Sequence, residues 1–260
     1  MNTSIRMSTS ARGHALSDAA VREYHDRGLS RPMRLWGPEE TPTMRALLER
    51  HYYPEGGGRR PASKTSFATA PDLIELLQRP QLTDPIASIL GEDLFLWRAK
   101  AFTKAPRDPG AKEIPWHQDR YCWPLEPMIA CSAWIAVDDT TIENGCMYVI
   151  PGSHRSVVPH IPATEEQLFV EQADPAHFDA AEAEPLTLRA GEFVLFNERL
   201  LHRSGINHSA RRRFGLAVRV LPALTRVLEF DAEDHALVLL RGADSLGFNR
   251  LAPVGAPVAA

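Results

Sequence analysis

The stretch "WHQDRYCW", residues 116–123, sets His117 and Asp119 two positions apart among aromatic residues. Residues i and i+2 of an extended strand point to the same face, so in a strand both side chains aim at one point. Such a pair serves either as a hydrogen-bonded polar contact or as two ligands of one metal ion. A third donor lies in "FNERLLHRSGINHS", residues 196–209, where His202 follows an apolar strand-like run and precedes a Ser-Gly turn. His208, deeper in the polar turn, reads as exposed. Two histidines and one carboxylate on a β framework are the donors of the facial triad, which leaves three positions on ferrous iron open. The same donors suit zinc. A zinc-dependent hydrolase or isomerase on a cupin-like barrel, and a non-catalytic binding barrel, are therefore competing readings.

Arg213 opens the strand-like "RFGLAVRV" eleven residues after His202. In a strand, Phe214, Leu216, Val218 and Val220 share one face, and Arg213, Gly215, Ala217 and Arg219 share the other. A buried arginine needs an anion, so the second face suits a cavity that holds an anionic ligand. The alternative is a solvated face with "RRR" as an exposed charge cluster. On "LFLWRAKAFTK", residues 94–104, Arg98, Lys100 and Lys104 alternate with Trp97, Ala99 and Ala101. With Arg219 they point to an inward cationic surface and a small anionic substrate, against the reading of a solvated sheet face. Tyr121 and Trp123 share the His117 face if that strand stays regular, either to meet a substrate or to fill a barrel.

"WHQD", "SAWIAVDDTTIENGCMYVIPGSH" and "LLHRSGINHSARRR", in that order over roughly residues 90–222, resemble the phytanoyl-CoA dioxygenase family of Fe(II)/2-oxoglutarate-dependent oxygenases. The resemblance implies a double-stranded β-helix, a jelly-roll or cupin-like barrel. It implies iron ligation by His117, Asp119 and His202, and a grip by Arg213 on the distal carboxylate of 2-oxoglutarate. Ser204, Trp134 and Lys104 match positions near that cosubstrate in relatives. Dioxygen is the second cosubstrate, and the iron centre is the catalytic group, with no separate acid or base. Halogenating relatives carry a small residue at the position of Asp119, so a carboxylate there implies hydroxylation or a related oxidation such as desaturation. Tyr121, Trp123, Phe102, Arg98 and Arg219 are the candidates for substrate contact. Family members act on acyl-CoA thioesters, amino acids, compatible solutes, phosphonates and natural-product intermediates, so the resemblance leaves the substrate open. The charges agree independently: a ferrous triad, a 2-oxoglutarate dianion and Arg213 sum close to neutrality, as a desolvated site requires.

The elements that must position these residues read as helices first and strands afterwards. "SDAAVREYHDRG" has an N-cap at Ser17 and a stop at Gly28, and "PEETPTMRALLERHYY", "APDLIELLQRP" and "TDPIASILG" follow as helices. From Leu94 onward, short strand-like runs are broken by Pro, Gly, Asn and Asp turns. The expected organisation is a tail over 1–16, then one oxygenase domain over 17–260. That domain has a helical part at 17–91, a β core at about 92–222 and an extension at 223–260. Residues 153–184, long and acidic, read as a lid-like insertion, with the glycine loop at 56–58 as its partner. The formal net charge of −4 over 260 residues argues against nucleic acid as a partner. No apolar run is long enough to span a membrane. The N-terminus lacks the apolar core of a secretory signal. Three cysteines without CxxC spacing fit a reducing cytoplasm. Oligomeric state is not legible.

Overall fold

The computed structural model describes residues 13–53, 70–228 and 237–252. The glycine loop at 56–58 and most of the expected N-terminal tail lie outside the described residues. Helix α1 (Asp18–Arg27) is capped by Ser17, whose side chain accepts from the Ala20 amide, and it stops at Gly28 with φ 71°. Helices α2 (Thr41–Tyr52), α3 (Pro71–Leu77) and α4 (Pro80–Leu90) each carry a proline in the first turn, where its missing N–H costs nothing. Helix α4 starts three residues before the "TDPIASILG" expected from sequence, because Pro80 opens the turn.

The strands are β1 (Met33–Arg34), β2 (Leu94–Lys104), β3 (Ile114–His117), β4 (Leu125–Glu126), β5 (Cys131–Ala136), β6 (Met147–Val149) and β7 (His160–Pro162). They continue with β8 (Glu171–Ala173), β9 (Glu184–Leu186), β10 (Glu192–Asn197), β11 (His202–Ser204), β12 (Arg213–Pro222), β13 (Arg226–Val227) and β14 (Val238–Arg241). A major sheet runs β1-β10-β5-β12-β2-β14 and a minor sheet runs β3-β11-β6-β9. Pairing within both sheets is antiparallel. The architecture is mainly β, with helices buttressing a jelly-roll core.

The centre of the major sheet is buried on both sides, which is why β5, apart from Ser132, and most of β12 are apolar. Its outer face, with Ala133, Ile135, Leu195, Leu216 and Val218, shares one core with Leu48, Leu73, Leu77 and Ile86 of the helices. Its inner face, with Trp134, Val194, Phe196 and Ala217, meets Met147, Val149 and Leu186 of the minor sheet. The β12–β2 register sets Arg213 opposite Lys104, Gly215 opposite Phe102, Ala217 opposite Lys100 and Arg219 opposite Arg98. One stripe of the inner face is therefore cationic. Gly215 is needed there: a Cβ would come within 2.4 Å of the Trp134 ring.

One expectation is corrected. The "WHQDRYCW" strand ends at His117, and Asp119–Cys122 form a turn of 3-10 helix. The buried Gln118 causes the break: its amide donates to the carbonyls of Ser156 and Arg199 and its oxygen accepts from the Val158 amide. The i, i+2 alternation that placed Tyr121 and Trp123 therefore does not hold. Residues 153–184, the expected insertion, are built of short elements, among them the β7–β8 hairpin.

Candidate active site

His117 sits at the end of β3, paired with His202 at the start of β11. Their rings lie 4.0 Å apart by centroid. Each Nδ1 is 2.8–2.9 Å from a backbone carbonyl two residues earlier, Pro115 for His117 and Leu200 for His202. Those contacts place the proton on Nδ1 and leave each Nε2 as a lone-pair donor. The 3-10 turn then brings Asp119 to them. His117, Asp119 and His202 each offer one ligand atom, all within 4.8 Å of one another. Burial, followed by the neighbouring His202, pushes His117 down to about 3, so it is neutral across the physiological range. Burial also lowers His202.

Asp119 is held by a partner that neither spacing nor motif announced. Arg219 donates from Nη2 to Asp119 Oδ2 at 2.8 Å, both side chains being nearly buried. Burial alone would raise the Asp119 carboxyl, but Arg219 and the two histidines outweigh it and hold the carboxyl below its ordinary range. Asp119 Oδ1 lies on the other side, 3.8 Å from His117 Nε2.

Arg213 is 1% exposed, and burial drops its pKa to about 10, which leaves it charged. Its Nη2 donates to the Gly145 carbonyl at 2.9 Å, while Nε and Nη1 are buried with no partner. Its guanidinium lies 5.1 Å from the Trp134 ring. Trp134 Nε1 and Ser204 Oγ are likewise buried and unpartnered, and both residues line the same cavity as Arg213 and the two histidines. Orphaned buried donors are rare in folded proteins. A cluster of them beside three metal donors suits a carboxylate-bearing group. Arg212, one residue earlier, faces outward and pairs with Asp138 and Glu49.

Two adjoining cavities share His117, Asp119, Phe102, Phe169, Ala217 and Arg219. The smaller, about 50 Å³, holds the Arg213 end; the larger, about 430 Å³, opens outward. Arg98, Tyr121 and Trp123 line the larger cavity. Trp123 is also a wall residue, edge-on to Trp97 at 5.1 Å, and Tyr121 sits half-exposed at the rim, stacked on His160. Lys104 lines neither cavity: its ammonium donates to the carbonyls of Ser204 and Gly205, bracing the turn after β11. Burial, then Arg213, lowers it to about 7. His208 is exposed.

Sequence reasoning missed Phe169, whose ring meets His117 edge-on at 4.9 Å. It comes from the segment between β7 and β8, which is anchored by the Leu168 amide on the Glu113 carbonyl at 2.7 Å. No periodicity relates that segment to the triad. Arg219 was placed inward, but its pairing with Asp119 required the 3-10 turn.

No described helix is long and apolar enough to cross a membrane. A profile of the family described as Phytanoyl-CoA dioxygenase (PhyH) matches residues 14–215. A protein of Stutzerimonas stutzeri named "Probable alpha-ketoglutarate-dependent hypophosphite dioxygenase" is 34% identical over 149 residues, covering 55% of this chain and 51% of that one. The L-proline trans-4-hydroxylase of Streptomyces griseoviridis is 28% identical, covering 79% of each chain. The chain spans about half the length of several curated relatives that it matches. Among solved structures, the apo form of the non-heme monooxygenase ThoJ superposes with a TM-score of 0.75 at 24% identity, over 90% of this chain and 87% of that one. That likeness concerns the fold. The family profile takes in most of the sequence, including the His117/Asp119 turn and the Arg213 strand start, and the chain belongs to the phytanoyl-CoA dioxygenase family.

Proposed function

We propose that this chain is an Fe(II)- and 2-oxoglutarate-dependent dioxygenase that hydroxylates an unactivated C–H bond of a small metabolite. The observation that carries the reading is one cavity in which three metal donors meet a buried arginine with unpartnered N–H groups. Iron held by His117, Asp119 and His202, with 2-oxoglutarate and dioxygen, supplies oxidising power for C–H bonds and yields succinate and carbon dioxide as coproducts. The chain's own part is positioning and exclusion. The Pro115 and Leu200 carbonyls fix both imidazoles in the donor tautomer. Arg219 occupies one oxygen of Asp119 and leaves the other for the metal. Arg213 meets the distal carboxylate of the cosubstrate with a planar fork, which a point charge matches poorly. Ser204 and Trp134 add donors to that end. Phe169 and Phe102 keep water from the reacting centre. The hypophosphite dioxygenase and the proline hydroxylase, by their names, act on small molecules, which supports a metabolite rather than a polymer. The three cysteines are free, which fits a cytoplasmic setting.

The test is succinate formation from 2-oxoglutarate with Fe(II), alongside iron titration. His117→Ala and His202→Ala each abolish turnover and weaken iron binding while the chain stays folded, because an open site with three protein ligands has none to spare. Unchanged iron affinity in both variants overturns the triad. Turnover with zinc and no 2-oxoglutarate overturns the oxygenase reading.

A further inference from the structure

We propose that a cavity at the β10–β11 turn, separate from the triad, is an effector site for a small amide with an apolar body. The cavity holds about 270 Å³ and shares no lining residue with the two cavities at the triad. An apolar cavity of about 150 Å³ admits benzene, so this one has room for a ring and a polar group. Its walls divide by chemistry. Ile89 and Leu90 at the end of α4, with Met128 and Ile129 before β5, line the apolar side. Glu198 and Arg199 of the turn line the polar side. Glu198 is 4% exposed, and its Oε2 finds no hydrogen-bond partner among the described residues. Arg199 Nε is buried and equally without one. It lies 3.6 Å from Glu198 Oε1, too far for a hydrogen bond. Buried polar groups left unpaired are rare, and here one acceptor and one donor stand side by side. A primary amide answers both: its N–H donates to Glu198 and its carbonyl accepts from the Arg199 guanidinium. An anion in that place would face the Glu198 carboxylate, and a cation the Arg199 guanidinium.

The turn that forms the polar wall also seats the metal donors. The Glu198 carbonyl accepts from the Arg120 amide at 2.9 Å, and the Arg199 carbonyl from Gln118 Nε2 at 2.6 Å. The turn thus grips the residues on both sides of Asp119. The next carbonyl, that of Leu200, lies 2.9 Å from His202 Nδ1 and fixes its tautomer. Asn197 closes the turn: its carbonyl accepts from the Leu200 amide at 3.0 Å, and its side chain from the Arg199 amide at 2.9 Å. A ligand that bridges the Glu198 and Arg199 side chains to the α4 wall restrains the three carbonyls that orient Asp119 and His202. Metal binding draws on the same restraint. Ligand and metal therefore strengthen each other, and by linkage they do so by one common factor.

The experiment uses three probes with one body: benzamide, benzoate and benzamidine. Each is titrated into the full chain at pH 8, above the Glu198 midpoint of about 7. Calorimetry is run with N-oxalylglycine, an unreactive analogue of 2-oxoglutarate, first without metal and then with saturating Mn(II). Nuclear magnetic resonance of the metal-free chain locates the probe. Benzamide binds about tenfold tighter than either ion, as hydrogen bonds to charged groups allow. It shifts the amide signals of Ile89, Leu90 and Ile129 and leaves those of Phe102 and Phe169 in place. Glu198→Leu weakens benzamide about tenfold and ranks benzoate first, because Arg199 remains. Arg199→Leu weakens it about as much and ranks benzamidine first. Mn(II) tightens benzamide about threefold, and benzamide tightens Mn(II) by the same factor. No binding by any probe at millimolar concentration, shifts at Phe102 and Phe169 instead, or one ranking in all three chains overturns the site. Equal benzamide affinity with and without bound Mn(II) overturns the effector role. The ranking in the metal-free chain decides the site even where Mn(II) fails to bind, a result that overturns the triad and the effector role together.

Discussion

Arg212 and Arg213 are neighbours in sequence with opposite surroundings, and substitution should separate them sharply. Arg213→Ala leaves a desolvated carboxylate of the cosubstrate without its partner, which costs about 3–5 kcal/mol. That corresponds to a loss of about a hundred- to several-thousandfold in apparent 2-oxoglutarate affinity. Arg212→Ala removes a half-exposed pairing with Asp138 and Glu49, costs about 1 kcal/mol of stability, and leaves 2-oxoglutarate affinity alone. The 2-oxoglutarate dependence of succinate formation in the two variants is the measurement, and a large loss in Arg212→Ala would contradict the assignment. This pair was legible in sequence because the period of a strand is two, and one inward residue in "RFGLAVRV" fixes the rest. The Asp119–Arg219 pair was not legible, because a hundred residues and a 3-10 turn separate its members. Arg219→Gln strands Asp119 as a buried carboxylate and should destabilise the metal-free chain by about 3 kcal/mol. Mn(II) brings a positive charge to the same carboxylate, so it should raise the melting temperature of Arg219→Gln more than that of the parent chain. Equal increments in calorimetry would show that Arg219 does not hold Asp119 for the metal.

At the scale of elements, capping and periodicity explain what could be read. Ser17 and Gly28 bound α1 because a side-chain acceptor and a residue free to take positive φ are what helix ends need. Strand β2 was visible end to end as Leu94–Lys104 because no Pro, Gly, Asn or Asp interrupts it: an apolar run, Leu94–Trp97, passes into alternating residues. The β7–β8 hairpin was hidden because it is short and its contacts are remote: Leu168 on Glu113, Tyr121 on Glu171, Phe169 on His117. Those contacts tie the hairpin to the site itself, so occupancy should be felt there. Hydrogen exchange at residues 163–172 should slow when Mn(II) and N-oxalylglycine are both bound and stay fast with either alone, as for a cover that closes on a complete site. Equal protection in the apo protein would make the segment a fixed wall instead.

For the whole molecule, the cost of building the site shows in how stability depends on pH. Glu198, in the turn between β10 and β11, is buried, and its Oε2 has no partner. Burial raises its carboxyl from 4.5 to about 7, and Arg199, 3.6 Å away, offsets only part of this. The Glu198 carbonyl accepts from the Arg120 amide, beside Asp119, so the backbone at this position helps to seat the 3-10 turn. A raised folded pKa means that the folded chain keeps its proton more readily than the unfolded one. The stability due to protonated Glu198 is thus complete below pH 4.5 and is lost as pH rises through about 7. The distance between those two pH values makes the loss on the order of 3 kcal/mol. Glu198→Gln keeps the shape of the side chain and removes the titration. It should melt higher than the parent at pH 8, by an amount that shrinks steadily toward pH 5, where both carry a neutral group. Metal binding by His117, Asp119 and His202 should be unaffected, since the backbone contact to Arg120 remains. Differential scanning calorimetry of both chains across that range is the measurement. A stability difference that stays constant with pH would show that Glu198 is ionised in the folded chain, and that the partial offset from Arg199 is in fact complete.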